Sequence, residues 1–437
     1  MEKRAIQRAL VACRGEAGAS VARRLEEVDV EAVAVYADVD AGDSWLDEVA
    51  YATRIATDPG ADPYRDGLRI VSAALDGGCD AVHPGFGPMA QNAELAHMTA
   101  NVGLAWIGSP PPVLEACADR VELRRLAREA GFPTVPSSPP LAHAGDAEPW
   151  LAKLGAPVRI APAQRGSGLP GRHLTDISAF AAVAPPIPFV IERALRPARH
   201  VIVGVLGDGA GNAIQIGDHE RSLSLAGRVR VRESPAPGLD QGLRERLGEA
   251  AVRLARGIRL VGVGAVEFLV GSPSGPGEPA RWWFHDLTPA LFEGYALHEE
   301  VYGLDLVHAQ IRLASGETLG WEQAEISSAG CGIELLLCAT GAGTLEALEF
   351  PEGVIASIAR GPGTSIDPAH DPVLARIVVG GPLRHALLVR ARAALEGAVI
   401  RGVPHDTGTL VALLSDTRAW AGETDTELLA EVAADRT

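Results

Sequence analysis

The sequence predicts an α/β fold that passes into a mixed α+β arrangement along the chain. Two observations carry this. Over residues 1–110, short apolar runs alternate with helical patterns, which implies a parallel sheet with helices on its faces. Further on, the apolar runs at 263–270 and 282–285 flank the loop SPSGPGEPAR, the pattern of an antiparallel hairpin.

The elements follow in order. Ala9 to Ala12 is a buried strand that ends at Arg14-Gly15-Glu16, and Gly18 to Val28 reads as a helix. Ala32 to Tyr36 is a second strand, closed by the turn signal DVDAGD. Asp66 to Ala74 is helical, and Ala81-Val82 enters a turn at His83-Pro84-Gly85. Leu104 to Ile107 is a further strand. Ligands of such sheets sit at the carboxyl ends of the strands, where these glycine-containing turns fall. Cys117 to Gly131 reads as one charged helix, after which prolines punctuate the chain. Strands are expected at Pro157 to Ile160, Phe189 to Arg193, His200 to Leu206, Val263 to Val270 and Trp282 to His285. Leu304 to Ala314 and Pro382 to Glu396 read as helices.

The length of 437 residues suggests about three domains. Apolar residues make up 47% of the chain, enough for ordinary cores. The net charge of −17 argues against a general nucleic-acid or anionic-membrane binder. No apolar run is long enough to span a membrane. The five cysteines, Cys13, Cys79, Cys117, Cys331 and Cys338, are widely spaced. They form neither a disulfide framework nor paired zinc ligands, and a reduced, cytoplasmic setting is expected. The only lysines are Lys3 and Lys153, so a cationic role elsewhere must fall to arginine.

Four features bear chemistry. The loop Gln164 to Gly171 contains three glycines; it can bring backbone N–H groups to a phosphate, or serve as a plain hairpin tip. Glu267 and Asp286 fall on the two strands of the predicted hairpin, where facing carboxylates can hold Mg²⁺ or line a solvated face. His83 can touch a ligand or cap its turn. Arg228, Arg230 and Arg232 alternate, which gives either an anion site or a solvated strand edge.

The order of segments resembles biotin carboxylase, the ATP-grasp component of acyl-CoA, acetyl-CoA and pyruvate carboxylases. ACRGEAGASVARR is similar to the family's ANRGEIA start, and AVHPGFGPMAQN to its HPGYGFLSEN. RHVIVGVLGDGAGNAIQIGDHERS resembles RHVEIQVLAD…GN…ERDCS, and RESPAPGL, VGVGAVEFLV and GLDLVHAQIRLASGE follow in family order. The resemblance implies three domains: an N-terminal parallel α/β domain at 1–114, an ATP-grasp domain at 115–330 with a small lid at about 133–206, and a mixed C-terminal domain at 331–437. Family members use ATP, Mg²⁺ and bicarbonate to carboxylate biotin on a carrier protein.

The departures gather at the chemistry. PVRIAPA is similar to PVIIKAS, which places Ala161 where the family has a nucleotide lysine. The lid loop reads QRGSGLPG in place of GGGGGRG, and Pro170 is expected to stiffen it. LAGRVRVRE replaces RRHQKVVEE, which puts Val229 at a second nucleotide lysine and Gly227 at a histidine. FHDLTPALFEGYALHE matches FIEMNTRIQVEHPVTE without gaps. Asp286 keeps a carboxylate at one metal position, and Glu267 keeps the other. Thr288 replaces an asparagine, Ala290 an arginine, Phe292 a glutamine, and Gly294 the glutamate proposed to deprotonate bicarbonate. Leu336 replaces the arginine that holds carboxyphosphate or the biotin enolate. Arg120 retains the charge of a family lysine, and Glu192 and His200 match the adenine-side EKYL and RHVE motifs, whose acidic residue is lost at Ile202.

General-base chemistry needs a group that can accept a proton, and an enolate needs donors aimed at its charge. Gly294, Ala290 and Leu336 supply neither. The resemblance therefore implies a catalytically degenerate subunit in a biotin-dependent carboxylase complex, with no catalytic residue of its own. Residual ATP contacts are expected at Arg120, Glu192 and His200, and residual Mg²⁺ ligands at Glu267 and Asp286, with nucleotide binding weakened or lost. No covalent biotin is expected on this chain. The expected partners are a biotin carboxyl carrier, a carboxyltransferase or an active biotin carboxylase, in a homo- or hetero-oligomer. The competing readings are an active ligase whose site is rebuilt around arginines and Glu293, and a nucleotide sensor without turnover.

Overall fold

A computed structural model describes residues 5–56, 58, 61–165, 171–176, 178, 180, 187–272 and 279–436. Pro170 and the central part of the SPSGPGEPAR loop lie outside them.

The N-terminal sheet is built from β1 (Arg8–Val11), β2 (Glu31–Tyr36), β3 (Tyr51–Arg54), β4 (Ala81–His83) and β5 (Ala105–Trp106). Its order is β3-β2-β1-β4-β5, and every pair is parallel. The alanines and valines of the central strands are fully buried, as expected for strands covered on both faces. Asp66 and Asn92 cap the helices Gly67–Asp76 and Ala93–Asn101 with their side-chain oxygens. Such caps contribute about 1 kcal/mol each.

The single charged helix expected from Cys117 to Gly131 is two helices, Pro111–Ala118 and Arg120–Glu129. Asp119 separates them. Its carboxylate accepts from the backbone N–H groups of Val121 (2.8 Å) and Glu122 (3.1 Å). A short acidic side chain that competes for backbone donors favours a cap over a helix interior. The break sets Arg120 at the head of the second helix, aimed at the cleft.

A three-stranded antiparallel sheet forms the lid, from β6 (Val158–Pro162), β7 (Arg172–Leu174) and β8 (Phe189–Arg193), in the order β7-β6-β8. The largest sheet is antiparallel throughout. It comprises β9 (Arg199–Asp208), β10 (Ala213–Glu220), β11 (Val231–Ser234), β12 (Val261–Val270), β13 (Trp282–Thr288), β14 (Cys331–Cys338), β15 (Ile355–Ser357) and β16 (Val373–Gly381). Their order is β13-β12-β9-β10-β11-β14-β16-β15. One sheet thus joins the β12–β13 hairpin to the C-terminal strands. The helix Gln241–Gly257 packs Leu243, Leu247 and Leu254 into the core beneath this sheet. Among the described residues, no helix is long and apolar enough to cross a membrane. All five cysteines are unpaired, and four are buried.

Candidate active site

The hairpin β12–β13 forms with Glu267 directly opposite Asp286, so the two carboxylates share the cleft floor. Each already has hydrogen-bonding partners, an arginine among them. Glu267 Oε2 accepts from His200 Nε2 and from Arg221 Nη1, both at 2.9 Å. Asp286 Oδ2 accepts from Arg120 Nη1 at 2.8 Å, and Arg165 approaches Oδ1 at 3.2 Å. Burial opposes ionisation of both carboxylates. The charge of Arg221 and the hydrogen bond from His200 outweigh it at Glu267, and the charges of Arg165 and Arg120 at Asp286, so both groups lie below the ordinary carboxylate range.

Glu192 is buried at the lid side. It pairs with Arg124 and, at 2.7 Å, with Arg159 Nη1. Burial again opposes ionisation, and the two guanidiniums hold the carboxyl well below its ordinary range. Arg159 stands two residues before Ala161, so the two share a face of β6. Ala161 itself is buried against Val190 and Val121. Glu192, His200 and His285 border a cavity of about 110 Å³. Pockets for drug-sized ligands run to roughly 300–1,000 Å³, so this space holds much less than a whole nucleotide.

At the other end of the cleft, Gly294 adopts φ +96° ahead of the helix Tyr295–Tyr302. A Cβ there would lie 2.8 Å from Arg232 Cδ and 3.3 Å from two ring atoms of His219. A side chain there would be strained by the left-handed backbone and would force Arg232 to shift. Ala290 and Phe292 are buried, and Phe292 stacks on His219 at 5.9 Å. Glu293 pairs with Arg232. Burial raises its carboxyl, but Arg232 and Arg376 prevail and bring it down to about 2. So weak a base is poorly matched to proton abstraction near neutrality.

Leu336 is buried on β14 opposite Arg376. Around it runs an ionic chain that sequence reading missed. Glu334 Oε1 accepts from Arg232 Nη1 (2.6 Å) and Arg376 Nη1 (2.7 Å), and Arg376 also pairs with Glu16 at 2.9 Å. The alternating arginines resolve accordingly. Arg232 belongs to this chain, and Arg230 is buried against Asp406 at 2.6 Å. For these two, neither an open anion site nor a solvated edge applies; Arg228 is half-buried and borders a cavity with Glu293 and Arg376. A glutamate inside the apolar run GIELLLC was the available signal, because a buried charge implies a partner. Val229 is buried in a short hairpin against Ser224, and Gly227 has φ +77°. His83 caps its turn: Nδ1 accepts from the Gly85 N–H at 3.0 Å, and burial pushes the ring down to about 4.

Three family profiles match the chain. "Biotin carboxylase, N-terminal domain" covers residues 5–114, "Carbamoyl-phosphate synthase L chain, ATP binding domain" covers 119–322, and "Biotin carboxylase C-terminal domain" covers 337–431. The chain is 30% identical to the mitochondrial methylcrotonoyl-CoA carboxylase subunit alpha of Oryza sativa, over 97% of its own length and 60% of that relative's. It is 29% identical to biotin carboxylase 1 of Bacillus subtilis, covering 97% of this chain and 98% of the relative. The biotin carboxylase domain of Hydrogenobacter thermophilus 2-oxoglutarate carboxylase, solved with MgADP, ADP and bicarbonate, superposes with a TM-score of 0.89. That match has 26% identity and covers 98% of each chain. With profiles in this order over the same three-part fold, the chain belongs to the biotin carboxylase family.

Proposed function

We propose that this chain is a catalytically degenerate biotin carboxylase-like subunit with a structural or regulatory role in a biotin-dependent carboxylase complex. One observation carries the reading. The resemblance puts the family's proton acceptor at Gly294, which has no group to take a proton, and its left-handed backbone and the nearby Arg232 and His219 side chains disfavour a larger residue there. Ala290 and Leu336, both buried, add no donor toward an enolate. Losing one such charged contact typically lowers a rate about 10²–10³-fold, and several losses together leave little turnover, though they do not simply multiply.

Glu267 and Asp286 are of the right kind for Mg²⁺, which takes oxygen ligands. The fit is nevertheless poor, because His200, Arg120, Arg165 and Arg221 already satisfy both carboxylates. Divalent-ion binding there requires displacing these partners. Nucleotide binding at Arg120, Glu192 and His200 is therefore weak or absent in this reading.

The rice relative is named as a subunit of a methylcrotonoyl-CoA carboxylase, which supports a carrier, carboxyltransferase or active biotin carboxylase as partner. A second reading, a nucleotide sensor without turnover, draws on the convergence of Glu267, Asp286, Arg120 and His200 in one cleft. Calorimetry with Mg-ATP separates the two: no heat of binding supports the scaffold, and saturable binding without hydrolysis supports the sensor. A tagged chain that recovers no carboxylase component from its own cells argues against the proposed complex.

A further inference from the structure

The cleft holds a second donor set beside the two carboxylates. His200, Glu267 and His285 each present one ligand atom, and these atoms all lie within 4.8 Å of one another. Strand register explains why they meet. Leu269 stands opposite His200 across β9 and β12, so Glu267, two residues away, lies on the same face. Between β12 and β13 the pairing jumps from Glu267–Asp286 to Phe268–Phe284. His285 is left as the extra residue of a β-bulge, a device that re-aims a side chain. Its ring meets that of His200 edge-on, with centroids 5.3 Å apart. Both imidazoles border the cavity of about 110 Å³, which leaves room for a further ligand.

Two imidazoles and one carboxylate suit zinc-like ions far better than magnesium, which prefers oxygen donors. We propose that His200, Glu267 and His285 form a binding site for a divalent transition metal of the zinc class. His200 Nε2 and Glu267 Oε2 already stand 2.9 Å apart. Two donors on a tetrahedral ion with bonds of roughly 2.1 Å stand about 3.4 Å apart, so His200 and Glu267 must part slightly and His285 must draw closer. Arg221 also donates to Glu267 Oε2 and is the group that the ion must displace. Arg159, paired with Glu192 on the cavity wall, biases the open position toward an anionic ligand. This site differs from the Glu267–Asp286 pair in needing His285 and not Asp286, and it does not depend on whether the chain turns over ATP.

The test is titration of the purified full chain with Co²⁺ in excess Mg²⁺, followed by calorimetry and by the visible absorption of the bound ion. The expected result is one Co²⁺ per chain, displaced by Zn²⁺ but not by Mg²⁺. Loss of a metal contact should weaken binding at least 10–100-fold, the range typical even of outer-shell changes, in both His285→Ala and His285→Gln. Asp286→Asn should keep saturable binding of one Co²⁺ per chain and lose less affinity than either His285 variant. Circular dichroism identifies any variant that fails to fold, and the second His285 substitution then decides. Unchanged affinity in folded His285 variants would overturn the proposal. So would dependence on Asp286 instead, which would assign the ion to the paired carboxylates, or the absence of saturable Co²⁺ binding.

Discussion

In the proposed reading, Gly294 removes the proton acceptor from the cleft. Restoring a carboxylate by Gly294→Glu should not create activity. It should destabilise the chain, because it combines a left-handed φ with a Cβ 2.8 Å from Arg232. The expected cost is about 2–4 kcal/mol, read as a shift in the denaturant midpoint. Glu334 is the second residue of consequence. Glu334→Gln leaves two buried guanidiniums short of a counter-charge and should cost about 3–5 kcal/mol. The pH dependence follows from sign. Glu192, Glu267, Glu293 and Glu334 are all held below the ordinary glutamate value of 4.5. Their contribution is present above about pH 4.5 and is lost as pH falls through their lower folded values. Glu299 runs the other way: burial, opposed by Arg24, pushes it up to about 7, so its contribution is present below 4.5 and lost as pH rises through 7. Thermal melts from pH 3 to 8 should therefore fall on the acid side. Glu299→Gln should flatten the decline above pH 5, and a decline as steep as in the wild type would contradict this assignment.

At the scale of elements, most strands near the cleft were legible because their apolar runs are short and bounded by glycine, proline or charge. The hairpin carrying Glu267 and Asp286 was readable for that reason, and the structure places those residues opposite each other. The bulge that frees His285 was not, because pattern alone does not show where a ladder skips a residue. The helix Gln241–Gly257 escaped notice although it is strongly amphipathic: its buried leucines are diluted by glycine and alanine at the packed positions. The merged helix at 117–131 failed for a local reason, the Asp119 cap. At the site, the resemblance singles out Ala161 and Leu336, and both are buried. The chain Glu16–Arg376–Glu334–Arg232–Glu293 could not, because its members lie far apart in sequence and meet only through the sheet. Gly217 is another element-scale feature, with φ +96° at the irregular pairing of β9 and β10. A Cβ there would fall 1.9 Å from the Tyr302 ring. Gly217→Ala should destabilise by more than about 1 kcal/mol, the level exceeded when alanine meets an incompatible backbone, and a neutral midpoint would show that the ring yields.

Over the whole molecule, arginines tie the parts together. Arg376 links the helix Gly15–Glu26, through Glu16, to the C-terminal strands, through Glu334. Arg360 joins Asp43 to Asp371. Arg376→Ala should therefore weaken the seam between the N- and C-terminal parts, seen as faster limited proteolysis as well as a lower melting temperature. Proteolysis indistinguishable from the wild type would place the seam elsewhere. Other guanidiniums, those of Arg120, Arg165 and Arg221, sit on the two cleft carboxylates, which unites the proposed loss of turnover with a retained rigid scaffold. Bicarbonate-dependent ATP hydrolysis by the purified chain, with free biotin and millimolar Mg-ATP, tests that claim most directly. The account predicts no hydrolysis above background. Hydrolysis that Asp286→Ala abolishes would contradict it and restore this cleft to the working enzymes of the family.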